Sequence, residues 1–147
     1  MDNEELFSCI DHVAYACPDA LSAAEYYTTN FGWHELHREE NQEQGVLEIM
    51  MTPTSAPAGQ ASQVQILSPL REDSTVGQWL AKNRPGLHHM AWRCADIDAT
   101  GVALRQRGIR LLYDEPRRGT HNSRINFIHP KSGIGVLIEL VQPAEEG

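Results

Sequence analysis

The chain has 147 residues, 41% of them hydrophobic and 22% charged, enough to bury one core without covalent staples. Its 12 basic against 20 acidic residues leave a formal charge of −8, which repels duplex nucleic acid and anionic membranes at long range. Three cysteines without a CxxC spacing speak against a disulfide framework or a structural zinc knot, and no apolar run reaches the roughly 20 residues of a spanning helix. The acidic start MDNEELF has neither the basic nor the apolar stretch of a signal peptide. The reading is one domain in a reducing, cytoplasmic setting.

The chain repeats itself. Residues 10–19 and 87–96 align without a gap and match at His12 and His89, Ala14 and Ala91, Cys17 and Cys94, and Asp19 and Asp96. Each segment alternates with the period of two of a strand. In the first copy, spanning about 8–70, the strand is followed by a cap at Pro18-Asp19 and a helix over 21–30 stopped by Phe31-Gly32. Strands are expected at 33–39, 45–51 and 63–67, with a loop rich in Pro, Ala, Ser and Gly over 52–62. A linker over about 71–86 holds a short helix over 71–82 opened by Asp73-Ser74. The second copy, about 87–142, has its cap at Asp96 or Asp98, a helix over 99–107 stopped by Gly108, and strands at 110–113, 124–128 and 135–141. The expected class is α+β: paired βαβββ modules forming a cupped, incomplete barrel with the helices outside and a ligand groove between the copies.

Four polar residues hold related places in the two copies. His12 and His89 lie on the first strands, Gln65 and Glu139 on the last, and small neighbours (Ala14, Ala16, Ala91) leave room beside each imidazole. Glu139 interrupts the apolar run 136–141, where an uncompensated carboxylate costs several kcal/mol. A divalent cation held by His12, Gln65, His89 and Glu139 would compensate it, and two nitrogens with two oxygens suit Co, Mn, Ni, Zn or Fe better than Ca. The plainer alternatives are histidines satisfied in a core or at the surface, and a salt bridge from Glu139 to an arginine.

Glu48, in the apolar stretch 46–51, is a second interior candidate whose burial would raise its pKa towards a useful range. An outward face of Val46, Glu48 and Met50 is the competing pattern. His34, His37, His88, His121 and His129 have no paired counterpart and read as structural or surface residues, and Cys17 and Cys94 read as packing. The segment 119–123, with Thr120 and Ser123, follows Arg117 and Arg118 and is a candidate substrate-contacting loop. Lys131 is among the local cations available to an anionic substrate.

The words IDHVAYACPD, GWHELHREE, EQGVLEIMM, GLHHMAWR, DIDA, RGIRLLYDEPRRG, RINFIHPKSG and GVLIEL, in order over about residues 7–142, resemble the methylmalonyl-CoA epimerase family of the vicinal-oxygen-chelate superfamily. The resemblance implies a paired βαβββ fold, a divalent metal with cobalt first and Mn, Ni or Zn as alternatives, and a homodimer. It also implies interconversion of the (2R) and (2S) forms of methylmalonyl-CoA. It places the metal ligands on His12, Gln65, His89 and Glu139, the catalytic base on Glu48, and a second acid/base on Glu139. Competing readings are a glyoxalase-type metal-dependent lyase, an extradiol dioxygenase, which Gln65 as a fourth ligand argues against, and a metal-free small-molecule-binding protein on the same fold.

Overall fold

Residues 5–53 and 62–145 are described by a computed structural model of the chain. The elements run β1 (Cys9–Ala16), α1 (Ala20–Phe31), β2 (His34–Asn41), β3 (Val46–Thr52), β4 (Val64–Pro69), α2 (Thr75–Lys82), β5 (Gly86–Arg93), α3 (Ile97–Gln106), β6 (Arg117–Arg118), β7 (Arg124–Ile128) and β8 (Ile138–Gln142). The chain divides into two compact units, one of residues 12–88 and one of 89–147 together with 1–11. Most of the loop expected over 52–62 lies outside the described residues.

The helices start and stop for local reasons. Asp19 caps α1, accepting a hydrogen bond from the Ser22 N–H at 3.1 Å and another from the Ser22 hydroxyl at 2.8 Å. At the other end Gly32 takes φ +71°, a left-handed cap conformation that a side chain would strain. Asp96, not Asp98, caps α3 through the Ala99 N–H at 3.0 Å. Asp98 instead pairs with Arg124 at 2.7 Å. Ser74 caps α2, so that helix starts later than expected, at Thr75.

Each unit repeats one strand order. In the first, β1 pairs in parallel with β4, and β4–β3 and β3–β2 are antiparallel. In the second, β5 pairs in parallel with β8, and β8–β7 and β7–β6 are antiparallel. The registers are equivalent as well: Ala14 lies opposite Gln65 and Ala91 opposite Glu139. The α+β class and the paired βαβββ order expected from the sequence are those the chain has.

In the first unit α1 covers the face carrying Ile49, Met51 and Ile66, burying Ala20, Ala24 and Cys17 against it. The opposite face carries Ala14, Ala16, Val46 and Leu67, and α2 packs Val76, Trp79 and Leu80 onto it. In the second unit α3 covers Ile128, Ile138 and Leu140 with Ile97 and Leu104, and the other face carries Ala91, Ile125, Phe127 and Val141. Each fully buried aliphatic side chain contributes about 1.5–3 kcal/mol. The site residues lie on the faces away from α1 and α3.

Two expected strands are corrected. The segment 110–113 forms only a single bridge, Leu111 to Ile128, and the ladder partner of β7 is Arg117–Arg118. The reason is Asn126: its side-chain oxygen accepts from the Tyr113 N–H and its amide donates to the Tyr113 carbonyl, both at 3.0 Å. The bridge itself is made by Leu112 N–H to Phe127 O at 2.8 Å and His129 N–H to Arg110 O at 2.9 Å, and the Tyr113 groups that would extend it are thereby already bonded. The last strand begins at Ile138 rather than 135, because Ile134 (φ 52°) and Gly135 (φ 90°) form a tight turn closed by Val136 N–H to Gly133 O at 3.1 Å.

Candidate active site and metal centre

The alternation of β1 places His12, Ala14 and Ala16 on one face. Because Ala14 lies opposite Gln65 and Met50 opposite Gln65, that face continues through Gln65 on β4 to Met50 and Glu48 on β3. His12 is 2% exposed, Gln65 3% and Glu48 9%, so the interior alternative for Glu48 is the one realised. Glu48 lies opposite Leu67, making Gln65 its diagonal neighbour at a Cα separation on the order of 7–8 Å.

The second unit builds the matching arrangement. His89 and Ala91 share a face of β5, and Ala91 lies opposite Glu139 on β8. Nε2 of His89 is 3.2 Å from Oε2 of Glu139, and both side chains are buried. Phe127, opposite Glu139 on β7, sets its ring edge-on to the His89 imidazole, with centroids 5.7 Å apart and planes at 88°. This aromatic support was not legible in the sequence, since nothing in Arg124–Ile128 distinguishes a core phenylalanine from one that braces a histidine.

One unit thus supplies His12 and Gln65 on one buried face, and the other supplies His89 and Glu139 on the equivalent strands. Imidazoles and a carboxylate are a donor set for a borderline divalent cation, and the 3.2 Å between His89 and Glu139 suits atoms that share one ion. The residues present therefore fit a metal centre, with the Gln65 side chain on the same face as His12.

The remaining candidates are placed as follows. Ser123 is buried, and its hydroxyl donates to the Thr120 carbonyl at 2.8 Å, closing the turn that begins at Gly119; Thr120 is half-buried. Lys131 is exposed, and its backbone N–H donates to Nδ1 of His129 at 3.1 Å. His88 is half-buried, edge-on to Trp79 with ring centroids 5.1 Å apart. Burial pushes the thiols of Cys17 and Cys94 above the ordinary range, which disfavours the thiolate a nucleophile needs and fits the packing role.

The strand order and the paired histidine faces define the class. Residues 11–127 match the model of the Glyoxalase/Bleomycin resistance protein/Dioxygenase superfamily, and the chain belongs to that superfamily. Particular relatives narrow this further. A crystal structure of a selenomethionine methylmalonyl-CoA epimerase is 63% identical, with a TM-score of 0.92, covering 97% of this chain and 100% of that one. A methylmalonyl-CoA epimerase in complex with methylmalonyl-CoA and NH4+ is 49% identical, with a TM-score of 0.87 and coverage of 95% and 96%. The ethylmalonyl-CoA/methylmalonyl-CoA epimerase of Cereibacter sphaeroides is 33% identical over 90% of this chain and 96% of its own length. Within the superfamily the chain falls in the methylmalonyl-CoA epimerase family.

Proposed function

We propose that this chain interconverts the (2R) and (2S) forms of methylmalonyl-CoA by proton transfer at C2, with a divalent metal held by His12, Gln65, His89 and Glu139. The observation that carries the reading is the buried pair of His89 and Glu139, 3.2 Å apart, on strands whose registers repeat those of His12 and Gln65 in the other unit. The likeness to epimerases of this substrate over nearly the whole chain supports the same conclusion.

The C2 proton lies between a thioester and a carboxylate, and its removal spreads negative charge onto the thioester oxygen. When bound, the divalent cation supplies Lewis acidity that offsets this charge. Gln65 offers a neutral amide oxygen, so Glu139 is the one ligand of the four with a formal charge, and the centre stays net positive. Glu48, buried on the face of His12 and Gln65, takes or returns the proton on one side of C2, a step that typically contributes about 10²- to 10⁴-fold. Inversion needs a second group on the opposite side, and Glu139 is the candidate for it. Cobalt is the expected metal, and a cytoplasmic homodimer the expected form.

The test is deuterium uptake from solvent at C2 of methylmalonyl-CoA, before and after chelation, alongside metal analysis of the purified chain. Uptake that stops on chelation and returns with added metal is the expected result. Exchange that is indifferent to chelation removes the metal from the reaction, and turnover of a hemithioacetal in place of methylmalonyl-CoA favours the lyase. Glu48→Gln is expected to abolish exchange while keeping the metal; an active variant removes Glu48 as the required base.

A further inference from the structure

The face that carries His89 and Glu139 does not end at those residues. Phe127 lies opposite Glu139, and Ile125, two residues earlier on the same face of β7, lies opposite Arg117 on β6. The side chains follow one another in ring-to-ring contact along it. The His89 and Phe127 centroids are 5.7 Å apart, and those of Phe127 and Tyr113 are 5.9 Å apart at 81°. The guanidinium carbon of Arg117 sits 3.8 Å from the Tyr113 centroid. An unbroken aromatic track thus joins a candidate metal ligand to an arginine.

Among the described residues the Arg117 guanidinium is one of several without a carboxylate partner, unlike those of Arg38, Arg71, Arg93 and Arg124; what sets it apart is its seat on a ring. It is held in place: the ring below it belongs to Tyr113, whose backbone N–H and carbonyl are both bonded by the buried side chain of Asn126. A cation stacked on a ring keeps its in-plane N–H donors free, and fixing it beforehand lowers the entropy lost when an anion arrives. The arrangement is a preorganised anion site.

We propose that Arg117, presented on the Tyr113 ring, binds the phosphate-bearing end of the coenzyme A thioester, with the pantetheine arm lying across Phe127 and Tyr113. The inference rests on the epimerase reading above, because that reading puts the reacting carbon at His89 and Glu139. The free carboxylate of the substrate is bonded to C2 and stays beside the reacting carbon. Three side chains further along the face, the anion that reaches Arg117 is a phosphate. The net charge of −8 makes such a local cation necessary for a polyanionic ligand.

The experiment is calorimetric binding of coenzyme A and of pantetheine, which lacks the phosphates, to the parent chain and to Arg117→Ala, Arg117→Lys and Tyr113→Leu. Arg117→Ala is expected to weaken coenzyme A about tenfold, and to shrink the preference for coenzyme A over pantetheine by the same factor. The lysine variant recovers part of the loss at low salt, and high salt erases the preference of the parent chain. Tyr113→Leu weakens both ligands, because it removes the track as well as the support for Arg117. Arg117 is exposed, so a thermal melt of its variants checks that the fold is intact. Equal weakening of coenzyme A and pantetheine by Arg117→Ala, or no weakening of either, overturns the subsite alone. A parent chain that binds no coenzyme A overturns the epimerase reading with it.

Discussion

Replacing Asn126 with leucine, a side chain of similar size without polar atoms, probes the one buried amide that substitutes for a strand ladder. Asn126 is 2% exposed and makes two bonds of 3.0 Å to the backbone of Tyr113. Each such bond contributes about 0.5–1.5 kcal/mol net, and a peptide group left unbonded in the interior costs about 1–3 kcal/mol. Tyr113 is half-buried and its carbonyl also accepts from the Arg105 guanidinium at 2.8 Å, so the N–H bears most of the loss and water rehydrates part of it, and the sum comes to about 3 kcal/mol. For a chain of this length that corresponds to a fall in Tm of about 6–12 °C. Urea and thermal unfolding followed by circular dichroism measure it directly. Asn126→Asp should be at least as costly, since it keeps the acceptor for the N–H and turns a second oxygen against the Tyr113 carbonyl. A loss below about 1 kcal/mol in the leucine variant would refute the reasoning, because the Tyr113 backbone would then be held chiefly by groups other than Asn126.

The other predictions concern charge and conformation. On the proposed metal centre Gln65→Glu would add a second negative ligand and is expected to tighten metal retention while lowering kcat, read by metal competition and C2 exchange; an unchanged kcat would show that the net charge of the centre does not matter. Hydrogen bonds from the Ser22 N–H and hydroxyl hold the Asp19 carboxyl below its ordinary value of 3.8, and the Arg124 guanidinium does the same for Asp98. A carboxyl depressed on folding stabilises the chain above its unfolded pKa, and that contribution is lost as pH falls through the folded value. Asp19→Asn keeps a capping oxygen without a titrating charge, so its stability should fall less steeply than that of the parent below about pH 4. Ile134 is 99% exposed at φ 52°, a conformation a β-branched side chain adopts only under strain. Ile134→Asn, followed by Gly135, is the favoured pair for this turn and should raise stability by about 1 kcal/mol in a thermal melt.

What the sequence made legible follows from the duplication. The matched His, Ala, Cys and Asp of residues 10–19 and 87–96 revealed two equivalent strands, and the same parity argument led to Gln65 and Glu139, which the registers now set opposite equivalent alanines. Glu48 was harder to place, because almost every residue of β3 is buried and neither face shows the polar alternation that would assign its side chain. The segment 110–113 misled for a different reason. Its apolar pattern is that of a strand, but whether a ladder forms depends on the buried amide of Asn126, thirteen positions on from Tyr113 in the chain. The Arg117, Tyr113 and Phe127 track was equally hidden, since its members come from an irregular segment and two strands and share no spacing.

The duplicated thiols give the molecule a built-in pair of clocks. Cys17 is buried beneath α1 in one unit and Cys94 beneath α3 in the other, while Cys9 is exposed. An alkylating reagent at neutral pH therefore modifies Cys9 at once and reaches each of the others only when the unit around it opens. The two slow rates, separated by peptide mass mapping, report whether the halves of this duplicated chain come apart together or one at a time.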